Sequence, residues 1–554
     1  MTDARDATRW KWGLLAVTLL FLYLGGLGSY GLLEPDEGRY AEIPREMLES
    51  GDFITPTLNS VKYFEKPVLH YWLTAMSMAL FGENEFAVRL WPALLALGGV
   101  LLTAWLARDL YGERSALFTS VILSTSLLYF VISQINILDM PVSFFLTAAM
   151  AGFWFGLERD RRYYLLFYGG MALALLTKGL IGIVLPCGIV FWYMILPRRW
   201  SILRSALYLP GILLFLALSA PWFVAVSRRN SDFLYFFFVH EHFLRYATTI
   251  HDRYEPFWFF IPMLIVGLLP WMGLLPGALR AALPRTLHVR DAEAQKGLFL
   301  FLWFAVIFLF FSLSGSKLIP YIVPVFPPLA ILMGDLLRRL IEGGNARGVR
   351  RFLLWTSVVM APLLIAMAVY PFLGKDLPPS ELLPYSLPIL FIEGVFLGGA
   401  WFLYRRGNFR KMAAVLCVLA IAHSFEFREV LTLFDGLLSA RELSEKIATL
   451  QRGNDRIMEY KTYDQGLPFY LKQRITLVDY LGELEFGAKQ EADPRWFIGK
   501  DDLKQAWDGP ERIILVVPRK LFNEIAPTLG IRLSDVLAES RKNIVFVNRL
   551  RERE

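Results

Sequence analysis

Hydrophobic runs of about 20 residues, the length a helix needs to cross a bilayer, follow one another from Trp12 to about Glu429 with short polar breaks between them. Laid end to end they give about thirteen membrane spans. The breaks are of two kinds. Arg and Lys gather in every second one: Arg108 and Arg114; Arg159, Arg161 and Arg162; Arg198, Arg199 and Arg204; Arg280, Arg285, Arg290 and Lys296; Arg338, Arg339, Arg347, Arg350 and Arg351; Arg405, Arg406, Arg410 and Lys411. Positive charge beside membrane helices stays on the cytoplasmic side. These loops and the N-terminus are therefore expected inside, and an odd number of spans puts the C-terminus outside. The first run, about Trp12 to Leu32, follows Arg5, Arg9 and Lys11 as a signal peptide would, but its apolar core is long and no small-x-small cleavage site follows, so it is read as a retained span.

The remaining loops fall on the other side: about Leu33 to His70, the Ile135 to Pro141 turn, Thr177-Lys178-Gly179, Phe233 to Glu255, the Gly315 to Tyr321 turn and Gly374 to Ser386. Five of the six histidines, His70, His240, His242, His251 and His423, lie in or beside these segments, and His288 alone lies in a basic loop. A short apolar segment from Leu69 to Phe81 is too brief to span comfortably and predicts a re-entrant or interfacial helix. After about Glu429 the pattern changes. The runs Arg512 to Pro518 and Asn543 to Asn548 predict strands and Ala440 to Gln451 a helix. The expected architecture is a polytopic α-helical membrane domain over residues 1–430, with catalytic loops at 33–70 and 233–255, followed by a soluble α/β domain over 431–554 on the outer side. No internal repeat is visible, and the Leu481-Gly482-Glu483-Leu484-Glu485 segment has no phosphate-loop spacing.

Composition agrees with this reading and removes other classes. Of 554 residues 55% are hydrophobic and 19% charged, and mean hydropathy is +0.44. The net charge of +7 comes largely from the topology-setting loops, so nucleic acid is not an expected partner. Cys187 and Cys417 sit in apolar runs, which leaves no disulfide framework and no cysteine metal cluster.

Candidate chemistry concentrates on the outer side. Asp36 and Glu37 form a carboxylate pair where the first span ends, with Pro35 and Gly38 around them and Arg39 and Tyr40 following. The alternative for such a pair is a solvated helix end. Tyr63, Glu65 and Lys66 precede Pro67; Lys66 suits either a phosphate at headgroup depth or a snorkelling anchor. Asp139 is one carboxylate in an apolar turn, and an ionisable group at a membrane boundary needs partners. In the His240 to Tyr246 stretch, Arg245 can reach a phosphate, while His240 and His242, two residues apart, lack the spacing of a helical zinc motif, so a metal there needs a ligand from another loop, Glu65 being the choice. Lys317 and Tyr321 flank Pro320 and offer a cation and a phenol.

The stretch Glu34 to Met47, the stretch Phe64 to Trp72, Ile137 to Pro141, Thr177-Lys178-Gly179 and Ser316 to Tyr321 resemble, in this order, signature segments of the 4-amino-4-deoxy-L-arabinose lipid A transferases. These belong to the C-type integral-membrane glycosyltransferases, which include protein O-mannosyltransferases. The resemblance implies a bacterial inner-membrane enzyme that takes a sugar from undecaprenyl phosphate at the periplasmic face and passes it to a lipid A phosphate, a modification that confers polymyxin resistance. Carried over residue by residue, it implies Asp36 as the first-loop catalytic carboxylate, with Glu37 and Asp139 also in the catalytic set. Lys66 and Arg245, with Lys317, would hold the donor phosphate. Arg39, Tyr40, Tyr63 and Tyr321 would line the cavity, and Glu65 and His240 would bind a divalent cation, zinc being the expected ion. No organic cofactor and a monomer are expected. Two other readings stay open: another polyprenyl-phosphate-sugar transferase, such as a protein O-mannosyltransferase, and a transporter, which should instead carry polar groups near mid-membrane in paired halves.

Overall fold

The computed structural model describes residues 2–244, 255–284, 291–373, 378–433, 435–453 and 455–549, with backbone alone for 2–11, 240 and 242–244. Among these residues seven helices are long and apolar enough to cross a membrane, or nine if each of two bent pairs is one span. The expected thirteen are reached only by adding four shorter or more charged helices: α1 (Thr2–Leu24), Tyr164–Lys178, Ile181–Ile195 and Phe409–Leu433. The helices Leu209–Arg229, Ala346–Leu373 and Pro379–Arg405 keep most of their apolar surface exposed. That is the arrangement of helices whose outer faces meet lipid, and the chain is a multi-pass membrane protein.

The first loop folds onto the helices. Residues 36–50 form α2, Leu69–Phe81 forms α3, and Glu85–Tyr111 forms α4, which is started by the Asn84 side chain accepting from the Ala87 N–H at 3.0 Å. A small hairpin of β1 (Thr57–Leu58) and β2 (Val61–Lys62) lies between α2 and α3. The bent pairs are Glu113–Thr125 (α5) with Leu127–Ser133 (α6), at 63°, and Phe260–Gly267 with Met272–Ala282, at 116°. They meet at their breaks. The Leu127 N–H donates to the Leu269 carbonyl at 3.2 Å and the Trp271 indole donates to Thr125 Oγ1 at 2.9 Å. Backbone groups freed inside a membrane domain must be satisfied by neighbouring protein, and each break helps satisfy the other.

Helix Asp139–Glu158 (α7) packs along Tyr164–Lys178 (α8) through glycines: a Cβ on Gly152 would stand 2.4 Å from the Phe167 nitrogen, and one on Gly170 2.7 Å from the Ala149 nitrogen. Where water gives helices no reason to associate, such small residues allow the close approach that replaces it.

The C-terminal part holds a six-stranded sheet in the order β5-β4-β3-β6-β8-β7. Strands β3 (Arg456–Tyr460), β4 (Thr476–Val478), β5 (Phe497–Ile498) and β6 (Ile513–Pro518) are parallel, and β7 (Ala538–Glu539) and β8 (Asn543–Val547) complete it antiparallel. Alternation along the strands feeds two layers. Ile457, Leu477, Ile514, Val516 and Val545 join the same core as the membrane helices, while Met458, Tyr460, Leu515, Val517 and Phe546 pack on Leu503, Trp507 and Ile525. The two parts of the chain thus share one hydrophobic core.

A buried ion pair positions the first loop. Arg89 of α4 donates from Nε to Glu37 Oε1 at 2.8 Å and from Nη2 to Oε2 at 2.7 Å, both side chains being fully buried. Its remaining donors go to the carbonyls of Leu27 (2.8 Å), Tyr30 (2.7 Å) and Gly31 (2.7 Å), and the guanidinium lies 3.7 Å from the centre of the Tyr30 ring. Glu37 also accepts from the backbone N–H groups of Asn136 at 2.7 Å and Leu33 at 2.9 Å. The expectation that Glu37 acts in catalysis is therefore corrected: both of its oxygens are taken by structural donors. Gly38 lies inside α2, and its missing side chain matters because a Cβ would come 2.4 Å from the Gly466 nitrogen.

Removing one partner of a buried pair leaves the other charge stranded, which costs about 3–5 kcal/mol. Arg89→Ala and Glu37→Ala are each expected to lower the thermal unfolding midpoint of the detergent-solubilised protein strongly, and the double variant by less than the sum of the two. A Glu37→Ala protein that unfolds like the parent yet is inactive would restore the catalytic role.

Candidate active site

A cavity of about 640 Å³ opens where the outer loops converge. Five of the six loops lacking the basic clusters line it: the first loop through Asp36, Arg39, Tyr40, Glu65 and Lys66; the second through Asp139; the third through Lys178; the fourth through Glu241; and the fifth through Tyr321. The C-terminal domain supplies Glu483, Glu485 and Lys489. Among the described residues its lining carries the carboxylates Asp36, Glu65, Asp139, Glu241, Glu483 and Glu485 and the cations Arg39, Lys66, Lys178 and Lys489.

Helix ends set the acids in place. Asp36 opens α2 and Asp139 opens α7, and the positive end of a helix favours a carboxylate there. Arg39, one turn into α2, is buried and holds three partners: Nη2 donates to Asp36 Oδ1 at 2.5 Å, and Nη1 donates to the Tyr63 hydroxyl at 2.8 Å and to the Glu483 carboxylate. Tyr63 lies behind Arg39 and steadies it. Glu65 Oε2 stands 4.0 Å from Arg39 Nη1. Lys66 donates to the Glu65 carbonyl at 3.0 Å and lies 3.9 Å from the buried Glu241 carboxylate. On the opposite wall the Lys178 ammonium, at the C-terminal end of α8, meets Asp139 Oδ1 at 2.5 Å and sits 4.5 Å from the centre of the Tyr321 ring. Tyr40 packs edge-on against His70, ring centres 5.6 Å apart.

Each charge is thus held beside an opposite one, and a phosphate entering between Lys66 and Lys178 would meet cations already fixed in place. Such preorganised charge stabilises an anion as it develops, at no cost in reorganisation.

Comparison with known proteins decides the family. A family model for dolichyl-phosphate-mannose-protein mannosyltransferase matches residues 10–242, and a model for the aminoarabinose transferase C-terminal domain matches residues 443–547. The undecaprenyl phosphate-alpha-4-amino-4-deoxy-L-arabinose arabinosyl transferase of Edwardsiella ictaluri is 33% identical over 541 residues, 94% of this chain and 95% of that protein. The protein of the same name from Pseudomonas aeruginosa is 36% identical over 399 residues, covering 71% of this chain and 70% of its own. The crystal structure of ArnT from Cupriavidus metallidurans bound to undecaprenyl phosphate superposes with a TM-score of 0.86 at 32% identity, covering 98% of both chains. The chain belongs to the aminoarabinose transferase family. It is a polyprenyl-phosphate-sugar glycosyltransferase with the C-type fold.

Within this aminoarabinose transferase, Asp36, Arg39, Tyr40, Glu65, Lys66, Asp139 and Tyr321 come together as the sequence suggested, with Tyr63 directly behind them. Lys317 does not line the cavity: its ammonium donates to the carbonyls of Ser314 at 2.6 Å and Glu255 at 2.8 Å, closing a helix end, so its assignment to the donor phosphate is corrected. Arg245 lies outside the described residues, as does the side chain of His240. Among the described residues no group of three or more His, Cys, Asp and Glu is placed to hold a metal ion.

Glu483 is the functional candidate that sequence reasoning passed over, 444 residues beyond its partner Arg39. Its segment was weighed only as a phosphate loop. The Thr177-Lys178-Gly179 turn was noticed, but nothing local said that Lys178 would meet Asp139. Burial pushes the Glu483 carboxyl up to about 7, Arg39 pulling it down and Glu65 and Asp36 adding to the rise. Burial also raises Glu34, Glu459 and Asp464, which lie between the two parts of the chain. A carboxyl raised in the folded state binds more protons than the unfolded chain does, so its contribution to stability is present at low pH. That contribution falls as pH rises from the ordinary carboxylate range to about 7, by at most about 1.4 kcal/mol per pH unit. Unfolding midpoints measured across this window should decline less steeply for Glu483→Gln than for the parent; equal slopes would contradict the buried, proton-holding Glu483.

Proposed function

We propose that this chain transfers 4-amino-4-deoxy-L-arabinose from undecaprenyl phosphate to a phosphate of lipid A, acting as a monomer at the periplasmic face of a bacterial inner membrane. What carries the reading is the cavity itself: among the described residues it sets cations beside carboxylates and is formed by both parts of the chain. The cations suit a lipid-linked phosphate leaving group, and the carboxylates suit a sugar that bears an ammonium. The match of residues 443–547 to the aminoarabinose transferase C-terminal domain favours this acceptor system over a protein hydroxyl. The names of the relatives agree, as does the undecaprenyl phosphate in the ArnT crystal.

In the proposed reaction an oxygen of the lipid A phosphate attacks the anomeric carbon of the sugar. The bond from that carbon to the carrier phosphate breaks, its electron pair leaves with undecaprenyl phosphate, and the configuration inverts. Lys66 neutralises the departing phosphate, a task the family resemblance also assigns to Arg245. Positive charge builds on the sugar ring as the bond breaks, and nearby carboxylates stabilise it. An ionised phosphate acceptor needs no general base. Asp36 is therefore assigned to orienting the sugar amine or the acceptor, steadied by Arg39, and Asp139 with Lys178 shapes the opposite wall. The product carries an amine beside the lipid A phosphate, which reduces attraction for cationic peptides such as polymyxin.

A divalent cation at Glu65 and His240 is part of the proposal. Of that pair, Glu65 stands in the cavity wall beside Arg39 and Lys66. A cation there would add positive charge next to the donor phosphate, and no step above runs through it.

The test is mass spectrometry of lipid A from a polymyxin-sensitive strain that makes the aminoarabinose carrier but lacks its own transferase. The parent chain is expected to add aminoarabinose. Asp36→Ala and Lys66→Ala, at matched expression, should lower the addition by about 100-fold or more. Lipid A left unmodified by a well-expressed parent chain would overturn the acceptor and sugar assignments together.

A further inference from the structure

A second cavity, about 600 Å³, lies in the C-terminal domain, apart from the site just described. It is built at the N-terminal edge of the four parallel strands. Arg456 opens β3, Arg474 comes just before β4, Trp496 just before β5 and Arg512 just before β6, with Arg452 and Arg495 beside them. The catalytic cavity draws Glu483 from beyond the opposite end of β4. Five arginines lining one cavity are not explained by topology-setting charge, because this domain follows the last apolar run, nor by the transferase chemistry.

Their partners do not account for all of them. Arg512 pairs with Asp455 and donates to the Leu450 carbonyl at 3.0 Å; Arg495 pairs with Asp493 at 2.9 Å; and Arg474 pairs with Glu491 while its guanidinium lies 4.4 Å from the centre of the Trp496 ring. That leaves Arg456, mostly buried, which donates from Nε to Thr476 Oγ1 at 3.0 Å and from Nη2 to the Arg495 carbonyl, and whose one ion-pair partner among the described residues is the exposed Glu511 at 3.5 Å. Arg452 has no ion-pair partner among the described residues, and the Nε of Arg474 is buried with no hydrogen-bond partner. Burial, with Arg495 nearby, pulls the Arg456 guanidinium below its ordinary range, against the opposing pull of Glu511 and Asp493.

A guanidinium offers paired donors in a plane, the geometry that matches a phosphate oxygen pair. We propose that this cavity binds a phosphate group, with Arg452, Arg456 and Arg474 as its donors. The group has two possible sources, the headgroup of an anionic phospholipid or a free phosphate. The assignment does not depend on which sugar or acceptor the catalytic site uses.

The experiment uses the full chain in detergent, with inorganic phosphate as the probe and chloride at equal ionic strength as the control. Phosphate is expected to raise the unfolding midpoint saturably, and to do so equally in Lys66→Ala, which separates this cavity from the catalytic one. Arg452→Gln with Arg456→Gln should weaken the apparent affinity by about tenfold or more. Glu511→Gln, which removes the competing carboxylate from Arg456, should tighten it, a gain that misfolding does not mimic. Reconstitution in nanodiscs of phosphatidylglycerol or phosphatidylcholine then separates the sources. If the stability difference between the two lipids is lost in the double arginine variant, the group is a lipid headgroup. If that difference persists while the phosphate response is lost, the group is free phosphate. A phosphate response that is absent from the parent, or unchanged in the arginine variants, overturns the proposal.

Discussion

The pair between Arg89 and Glu37 is the constraint on which the site depends. A buried arginine is tolerable only when its donors are met, and here they are met by one carboxylate and three carbonyls at the end of the first span. Through Glu37 the same pair reaches the backbone of Leu33 and of Asn136. One ion pair therefore joins the end of α1, the start of α2, the middle of the chain's second outer loop and α4. Asp36, the residue just before Glu37 in α2, lines the cavity while its neighbour is anchored away from it. The carboxylates of the Asp36 and Glu37 pair thus divide, one fixing the backbone and the other lining the cavity.

The C-terminal domain belongs to the site and is not an appendage. Glu34 accepts from the Gly466 backbone at 2.6 Å, Asn59 of the hairpin exchanges hydrogen bonds with Ile475 at 2.9 Å in both directions, and Glu483 reaches Arg39. These contacts use the loops that leave β3 and β4 and the edge that enters β4, so the sheet's own geometry sets the position of Glu483. Arg89 thus holds the start of α2 from the membrane domain, and Arg39, within α2, ties the helix to the C-terminal domain through Glu483.

What could be read from the sequence follows from the range of each signal. Period and length are local, so the apolar membrane helices, the strands at Ile513–Pro518 and Asn543–Val547 and the helix at Arg441–Leu450 were readable. The cavity residues that belong to short motifs, Asp36, Arg39, Lys66, Asp139 and Tyr321, were readable for the same reason. Glu37 was misjudged because adjacent acids look alike until a partner 52 residues away takes one of them. Lys317 was misjudged because a lysine at a helix end has two uses, and only the carbonyls around it decide between them. Glu483 was unreadable, since its meaning lies wholly in a contact across the fold.

The opposite wall of the cavity shows how backbone electrostatics and packing can serve one purpose. α7 begins with Asp139 and α8 ends with Lys178. Run side by side in opposite directions, the two helices bring the positive end of one dipole next to the negative end of the other, and each terminal side chain carries the charge its own helix end favours. The glycines at 152 and 170 let the helices approach closely enough to keep that alignment rigid along their length. Lys178 is consequently held beside Asp139 and over the Tyr321 ring by the geometry of the two helices. On this side of the cavity the ion pair follows from how the backbone packs, since neither residue's own local sequence specifies the other.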